Sequence, residues 1–493
     1  MFFKPKSEFP PVEWKFWFNK YDEWAAWYSG DQKFLYDYYN ISSVGDIIAQ
    51  SRMWARINDL CGVVHLPAAN DIASTSSSLL FSEVPQFKYN EDSEGGKRIK
   101  EFISENGFEN LLLEGAELSA ALSGCLFKID IEPDLLNVPI VSVLTPQQFF
   151  PTFWRGRLWE VITFRVVKTN SDTQKVWRLF ERRSREGKDL LIEYELYQGS
   201  NSSVGEQIDL NSIKETENIN LENLRYSNIE GLGCVYIPNK RPNKLIPGSY
   251  LGINDYSASI SMMDSLDIAW TSWMRDLELG MAQIFIDEEL LNKSQNQTTG
   301  EIIELNKFSK YQRAFVKLNL TSWKMGGDSG VKPIENIQFD IRMEEHKNTC
   351  EQLFFNIVTQ SGYSPQTFGI GQHGNVASGT ALKILEHKSQ TTRETKGRYW
   401  LPAIKELLYQ AQKFDQSANL YKFYNIEDVK IELQDSIVTD QKELSETLRN
   451  LDMAKAVSTY TKVKIQHPDW DDKNIEAETN KILEEQGITP EVL

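Results

Sequence analysis

The fold of this chain is decided by one glycine-rich stretch, Phe368-Gly369-Ile370-Gly371-Gln372-His373-Gly374-Asn375-Val376-Ala377-Ser378-Gly379-Thr380-Ala381-Leu382-Lys383. The segment before it carries apolar residues at helical spacing, namely Leu353, Phe354, Ile357 and Val358. The segment after it begins a second helical pattern with Ala381, Leu382, Ile384 and Leu385. Glycine allows the positive φ angles that a tight joint requires. The stretch therefore predicts a glycine hinge between two amphipathic helices, formed by Gly369, Gly371, Gly374 and Gly379.

The same glycines also fit a second interpretation, because G-x-G-x-x-G-x-V followed by A-L-K matches the phosphate loop and lysine of a protein kinase. In a kinase that loop joins two strands and its lysine lies on the next strand, whereas the flanking patterns here are helical. The 110 residues after Lys383 contain neither H-R-D nor D-F-G. A dinucleotide-binding loop would need a preceding strand, which is also missing. A nucleotide-handling enzyme that uses residues 369–383 is therefore the alternative, not the preferred interpretation.

Length and charge exclude several classes of protein. The 493 residues suffice for several domains with cores of their own, and 41% of them are hydrophobic, as is usual for globular proteins. The formal net charge of −17 argues against a high-affinity nucleic-acid binder, which would carry a basic surface. It does not exclude a protein that lets DNA pass without holding it. No apolar run is long enough to predict a membrane span.

Two cysteine–histidine pairs raise the question of a metal or catalytic site. Cys61 and His65 are four residues apart, as are His346 and Cys350, so each pair could share a helical face. The spacing matches no common structural zinc site, and a cysteine–histidine nucleophile has no further support. We therefore expect no metal, no cofactor and no catalytic residue. We expect buried, inert thiols at all four cysteines, which include Cys125 and Cys234.

Periodicity predicts an α+β body in the first half of the chain. The first forty residues are dense in aromatic side chains, from Trp14 to Tyr39, and predict a buried helix. Further helices are expected near residues 45–60 and 107–122. From Leu126 the period changes from 3.6 to 2. Strands are predicted at residues 126–131, 140–144, 161–167, 176–180, 191–197 and 234–237.

The second half is dominated by long helices. An apolar stripe from Ile253 to Leu277 predicts a helix over residues 249–279, with Ser249 as its cap. An acidic face accompanies the stripe, and its members are Asp255, Asp264, Asp267, Asp276 and Glu278. A small insert with strands at residues 284–286, 301–305 and 315–318 precedes a second helix at 340–360. A third helix is expected over 378–414 with a kink at Pro402, then a strand at 429–433 and a helical tail.

This order of elements resembles that of the portal proteins of tailed bacteriophages, and several strings are similar to recurring features of that family. They are Trp27-Tyr28-Ser29-Gly30, Ser77-Ser78-Leu79-Leu80-Phe81-Ser82-Glu83-Val84-Pro85, Pro146-Gln147-Gln148-Phe149-Phe150-Pro151 and Ala377-Ser378-Gly379-Thr380-Ala381-Leu382. The region from Ile431 through Asp440 to Glu478 is similar to the family's junction of strand and helical tail. The resemblance covers essentially the whole chain, and the order of the strings is more specific than any one of them.

The resemblance implies an α+β portal subunit that assembles as a ring, with seven parts. They are a wing (residues 1–248), a stem helix (249–279), a clip (280–339), a second stem helix (340–360), a tunnel loop (361–377), a kinked wing helix with a strand (378–435) and a crown (436–493). The stem would include Asp264, Asp267, Trp270 and Trp273. In the tunnel loop Gln372, His373, Gly374 and Asn375 would face the channel, and that loop has no Lys, Arg, Asp or Glu.

The resemblance also implies the biology. A portal ring, typically of twelve subunits, sits at one capsid vertex of the virion after assembly in the host cytoplasm. The terminase large subunit packages double-stranded DNA through it, and the DNA later leaves by the same channel. The implied partners are further copies of the chain, the terminase, the major capsid and scaffold proteins, and a head-completion or adaptor protein, with no membrane. Another kind of head–tail adaptor is a further alternative.

Overall fold

A computed structural model of the chain describes residues 2–42, 46–58, 60–217, 224–227, 229–280, 342–370, 379–433, 441–467 and 470–485, and five short strands between residues 283 and 337. The helices are α1 Lys15–Ser29, α2 Gln32–Asp37, α3 Ile47–Gln50, α4 Met53–Arg56, α5 Ala68–Phe81, α6 Glu94–Glu105, α7 Phe108–Leu122, α8 Ile260–Leu279, α9 Met343–Ser361, α10 Gly379–Ser417, α11 Gln441–Met453, α12 Thr459–Gln466 and α13 Asp472–Glu485. In the described part, no helix combines the length and the apolar character that crossing a membrane requires.

The strands confirm the predicted mixture of helix and sheet. They are β1 Gln86–Lys88, β2 Gly124–Asp130, β3 Ile140–Leu144, β4 Phe149–Trp154, β5 Arg157–Asn170, β6 Lys175–Glu186, β7 Asp189–Ser200, β8 Ser203–Ile208, β9 Leu224–Tyr226, β10 Cys234–Pro238, β11 Gln283–Asp287, β12 Lys293–Gln295, β13 Ile302–Glu304, β14 Phe315–Leu318, β15 Ile334–Ile337 and β16 Lys430–Glu432. Each predicted strand of the first half overlaps an observed one, although the strand predicted at 126–131 ends at Asp130. Strands β5 to β7 run longer than predicted, because their polar ends continue as exposed antiparallel hairpins.

Three sheets organise the body of the subunit. Strands β4 to β8 form an antiparallel meander, and β9 pairs with β7 at its side. A smaller sheet has the order β10-β2-β3. In it β10, which follows the large sheet in the sequence, pairs with β2, which precedes that sheet. Strand β16, which follows α10, pairs with β1, which lies between α5 and α6 in the sequence.

Two hydrophobic clusters fill the space between these sheets and the helices. The first joins α1, the base of α8 and one face of the large sheet, with Trp24 and Trp27 almost fully buried. The second surrounds β2 and the middle of α10, where Trp400 packs edge-on against Phe81 and Phe127. The aromatic density of the first forty residues thus reflects a core helix, as its pattern predicts.

Two of the predicted helix boundaries are wrong. Helix α8 begins at Ile260 rather than at residue 249, and its cap position is Ser259, not Ser249. Residues 249–259 stay irregular because the Asn243 amide donates to the carbonyls of Leu251 and Gly252, and Asn239 donates to that of Ile253. Near residues 45–60 the chain forms two four-residue helices, α3 and α4, instead of one.

The predicted helices on either side of the glycine stretch are confirmed as α9 and α10. Helix α10 contains 39 residues and includes Pro402. Lys383 lies in this helix, so it cannot occupy the strand position that a kinase lysine requires. The first residue of α10 is Gly379, the last member of the predicted glycine hinge.

A buried ion pair fixes α10 to the irregular segment before α8. Lys396 Nζ lies 2.5 Å from Asp255 Oδ2, and both side chains are almost completely buried. The same carboxylate accepts a 2.7 Å hydrogen bond from the Tyr363 hydroxyl and a 2.9 Å bond from the Asn239 amide. Burial lowers the pKa of Lys396, although the charge of Asp255 opposes that shift. The pair therefore joins four parts of the chain at one carboxylate.

We expect Asp255→Asn to lower the free energy of unfolding by about 3–5 kcal/mol, because it leaves the Lys396 ammonium buried without a counter-charge. Urea unfolding at fixed protein concentration measures the loss. The double variant Asp255→Asn/Lys396→Met should lose less than the sum of the two single variants, since it removes both charges. Strictly additive losses would show that the two groups do not depend on each other.

Candidate functional site

Helices α8 and α9 form an antiparallel pair at the centre of the candidate site. At one end the Ser259 hydroxyl, at the start of α8, donates to the Ile357 carbonyl near the end of α9. At the other end Asp276 of α8 lies 2.8 Å from His346 Nε2 near the start of α9. The insert between α8 and α9 therefore begins and ends at the Asp276–His346 end of this helix pair. Within it, β11 pairs in parallel with β14 and antiparallel with β15.

The two acidic residues that the sequence assigns to the stem are buried, so the predicted acidic face does not meet water at these positions. Asp264 accepts hydrogen bonds of 3.0 and 3.2 Å from the Met53 amide. This amide lies at the start of α4, where backbone N–H groups have no partner within the helix. Asp267 accepts bonds from Trp54 Nε1 at 3.1 Å and from the Leu66 amide at 3.0 Å. Both carboxylates thus hold residues 53–54 and 65–66 against α8.

Burial has a direct effect on these two acids. Loss of water raises the pKa of the Asp264 carboxyl, and the Met53 hydrogen bond only partly opposes this. Burial likewise raises the pKa of Asp267, against the effect of its bonds to His65, Leu66 and Trp54. Of the five acidic residues that the sequence pattern placed on one face, only Glu278 is exposed.

Trp270 and Trp273 lie at the seam between α8 and α9. Their rings stack at 5.0 Å, and Trp273 stacks in turn on His346 at 6.1 Å with an angle of 5° between the planes. Hydrogen bonds from His346 and Arg342 hold the pKa of the Asp276 carboxyl below its usual value. Both indole Nε1 atoms are buried and have no hydrogen-bond partner among the residues that the structure describes.

Side-chain hydrogen bonds hold the residues that directly follow α9 against α10. The Ser364 amide donates to Ser389 Oγ at 2.8 Å, and Thr367 shares a 2.8 Å bond with the same hydroxyl. Gly369 follows a short 3-10 turn with φ at +74°, where a side chain would be strained. The prediction of positive φ at the joint is confirmed for this glycine. Gly371, Gln372, His373, Gly374 and Asn375 lie outside the described residues.

In both cysteine–histidine pairs the histidine contacts an aspartate of α8. His65 Nδ1 lies 2.8 Å from Asp267 Oδ2, and the ring sits edge-on between Trp27 and Trp54. Cys61 is exposed, so the expectation of a buried thiol is wrong there, whereas the other three cysteines are buried. Among the described residues no group of His, Cys, Asp and Glu could hold a metal ion.

Sequence reasoning missed the docking of residues 53–54 and 64–66 on α8. The contact joins residues about two hundred positions apart, and no local pattern reports it. One signal was present, because Asp264 and Asp267 directly follow Met263 and Leu266 of the apolar stripe. An acidic residue next to a buried apolar stripe can itself be buried if hydrogen-bond donors from another segment satisfy its carboxylate.

We expect Asp267→Asn to lower the free energy of unfolding by about 1–3 kcal/mol, because an amide cannot accept from all three donors and leaves a buried N–H unpaired. Thermal or urea unfolding measures this. Asp276→Asn is the matched control on the same helix, and the change should be small because Asp276 is only half-buried and its partner Arg342 is exposed. An equal loss in both variants would show that burial at Asp267 is not the cause.

The chain matches a known family over most of its length: the family described as "Phage portal protein, SPP1 Gp6-like" covers residues 17–488. No curated protein matches it. Similar solved structures include "Neck of native GTA particle computed with C12 symmetry" and "Neck of empty GTA particle computed with C6 symmetry", each with 10% identity over 80% of this chain and 87% of that chain, at TM-scores of 0.37 and 0.36. Because the family match covers most of the chain, the chain belongs to the phage portal protein family, SPP1 Gp6-like.

Proposed function

We propose that the protein forms a closed ring at one vertex of a phage capsid, and that double-stranded DNA is packaged and later ejected through the ring. The observation that carries the proposal is the family match over residues 17–488. Portal proteins of this family are structural components of the phage particle and not enzymes, which agrees with the position of Lys383 on a helix.

The antiparallel helices suit the role of a stem. We assign α8 and α9 to it and the intervening residues 280–339 to the clip, so that the clip projects from the far end of the helix pair. Residues 361–377 form the tunnel loop in this proposal, and 436–493 form the crown. The remaining parts, residues 1–248 and 378–435, make up the wing.

The burial of Asp264 and Asp267 changes which charges could face DNA. A channel that lets DNA slide should avoid a basic lining, because each phosphate that a protein neutralises adds affinity. We propose that the exposed stem carboxylates are Glu278 on α8 and Glu344, Glu345 and Glu351 on α9. Asp264 and Asp267 anchor the stem to the wing instead.

The proposed partners follow the same division. The clip would meet the terminase large subunit during packaging, and a head-completion or adaptor protein afterwards. The wing and crown would meet the major capsid and scaffold proteins. Gln372, His373, Gly374 and Asn375 would pass closest to the DNA. Because the loop has no Lys, Arg, Asp or Glu, any electrostatic attraction to DNA there would come from His373 or from backbone groups.

Ring formation is the first test. We expect electron micrographs of the purified protein to show closed rings of about twelve subunits in top view, with heterologous contacts between neighbours. Mass measurement of the same sample gives the copy number. A stable monomer or dimer at micromolar concentration in several buffers would contradict the proposal.

The tunnel loop supplies the second test. We expect Gly371→Val/Gly374→Val to leave rings and empty proheads intact while DNA packaging falls at least tenfold, because valine closes backbone angles that a moving loop needs. The measurement is nuclease-protected DNA per assembled head, compared with ring yield. The pair of alanine substitutions should give an intermediate result. Packaging at the wild-type level would mean that these glycines only shape a turn.

A further inference from the structure

A basic, aromatic surface lies at the tip of the β4–β5 hairpin. We call it the basic tip and define it by Trp154, Arg155, Arg157, Trp159, Arg241 and Tyr250. The Trp154 and Trp159 side chains are 62% and 51% exposed, whereas tryptophan side chains are on average highly buried. The guanidinium of Arg155 lies 6.0 Å from the Trp154 ring, and that of Arg241 lies 5.2 Å from the Tyr250 ring.

The local backbone holds this surface in a defined shape. Trp154 pairs with Arg157, so Arg155 and Gly156 form a two-residue turn, and both have positive φ, at +49° and +80°. That combination is the tight hairpin turn whose twist matches the strands. A Cβ at Gly156 would lie 3.2 Å from the Tyr250 ring, which shows how closely the turn packs on the neighbouring loop.

A bulge places the second indole. The register pairs Thr152 with Glu160 and then Phe153 with Leu158, so Trp159 is the extra residue between them. Bulges redirect a side chain without ending the strand. Trp154 and Trp159 are therefore both displayed by regular hairpin geometry, and not by a loose loop.

The charge of the basic tip is opposite to that of the chain. Residues 150–159 and 239–250 contain five Lys or Arg and no Asp or Glu, whereas the chain as a whole has a net charge of −17. Arg155, Arg157 and Arg241 form no ion pair with the described residues. Exposed Trp, Tyr and Arg are the side chains that contribute most binding energy in protein interfaces.

A second surface on the same chain has the complementary character. We call it the acidic face; it is distinct from the predicted acidic face of α8 and comprises the exposed parts of residues 22–42 and 46–50. These residues include five carboxylates, of which Glu23 is buried, and one lysine. Four large apolar side chains are exposed among them, namely Phe34, Ile41, Ile47 and Ile48, with Ile47 at 87%. Burial, followed by the charges of Glu23, Asp22 and Asp46, raises the pKa of Tyr38, which lies between these groups.

The two surfaces are separated within one subunit. Gln147 Nε2 donates to Asp22 at 2.6 Å, which places the acidic face beside the start of β4. The basic tip is at the other end of β4, about 16 Å away along the strand at the usual rise per residue. A ring with heterologous contacts needs two different, complementary surfaces on each subunit.

We propose that the basic tip of one subunit docks on the acidic face of the next copy of this chain. The inference rests on the proposed ring. A neighbouring acidic face offers both carboxylates for the guanidinium groups and apolar side chains against which the indoles can be buried. Duplex DNA offers phosphates but no apolar pocket for two tryptophans, so it is the weaker candidate. The contact also offsets the mutual repulsion of subunits that each carry −17.

The first experiment reverses the charge of the basic tip. Arg155→Glu/Arg157→Glu in the full chain should lower the fraction of protein in rings at least tenfold, measured by mass and by electron micrographs. The thermal unfolding midpoint of the subunit should stay unchanged, because both side chains are exposed. The matched control is Lys175→Glu/Lys188→Glu, which makes the same charge change at exposed hairpin ends of the same sheet and should assemble normally.

The second experiment restores the contact. Asp22→Lys/Asp37→Lys should also lose rings, and the fourfold variant that combines it with Arg155→Glu/Arg157→Glu should regain them, because the charges are then exchanged across the interface. Normal rings from the tip variant, equal loss in the control, or no recovery in the fourfold variant would each overturn the docking.

Two further outcomes separate the alternatives. If the tip variant kept its rings but lost affinity for a fluorescent DNA duplex at physiological salt, the occupant would be nucleic acid and the docking would be wrong. If the wild-type protein formed no rings in any buffer, the proposed function and the docking would both fail. Wild-type rings with an insensitive tip would refute the docking alone.

Discussion

The structure depends on one buried carboxylate. Asp255 receives Lys396 from α10, Tyr363 from the end of the α9 segment and Asn239 from the loop after β10. A carboxylate at this depth is tolerated only when its oxygens are filled by donors, and here each donor comes from a different part of the chain. The segment before α8, the joint after α9 and the long helix α10 are therefore connected through one group. The hydrophobic clusters on either side add most of the burial but do not specify this register.

The sequence predicts some of these features and not others, for reasons that lie in particular residues. The helices α9 and α10 and the hinge between them follow from apolar spacing and from glycine, which are local signals. The start of α8 does not, because Ile253 and Tyr256 are buried at helical spacing in a segment whose backbone is held irregular by Asn239 and Asn243. Periodicity reports which side chains are buried, and it cannot report that the backbone bonds to a side-chain amide instead of to itself.

The burial of the acidic residues of α8 could not be predicted from local sequence either. A row of carboxylates along a predicted helix has the same appearance whether it faces water or accepts hydrogen bonds from a distant segment. Asp267 is buried because Trp54, His65 and Leu66 reach it, and nothing in the spacing of α8 reveals those donors. The net charge of −17 is unaffected, but exposed carboxylates of the described residues lie at the ends of α8 and α9 and on the N-terminal helices rather than in the middle of α8.

The length of α10 has a mechanical consequence. At the usual rise of about 1.5 Å per residue its 39 residues span about 58 Å, and Lys396 is about 26 Å from its first residue. The Asp255 contact therefore holds α10 near the middle of its length. Beyond that contact the helix is held again, by Phe414 in the second hydrophobic cluster and by Asp415, which pairs with Arg98. Pro402 lies between these two anchored parts and removes one backbone hydrogen bond from the helix, so the ladder is interrupted where packing and ion pairs on both sides hold the helix in place.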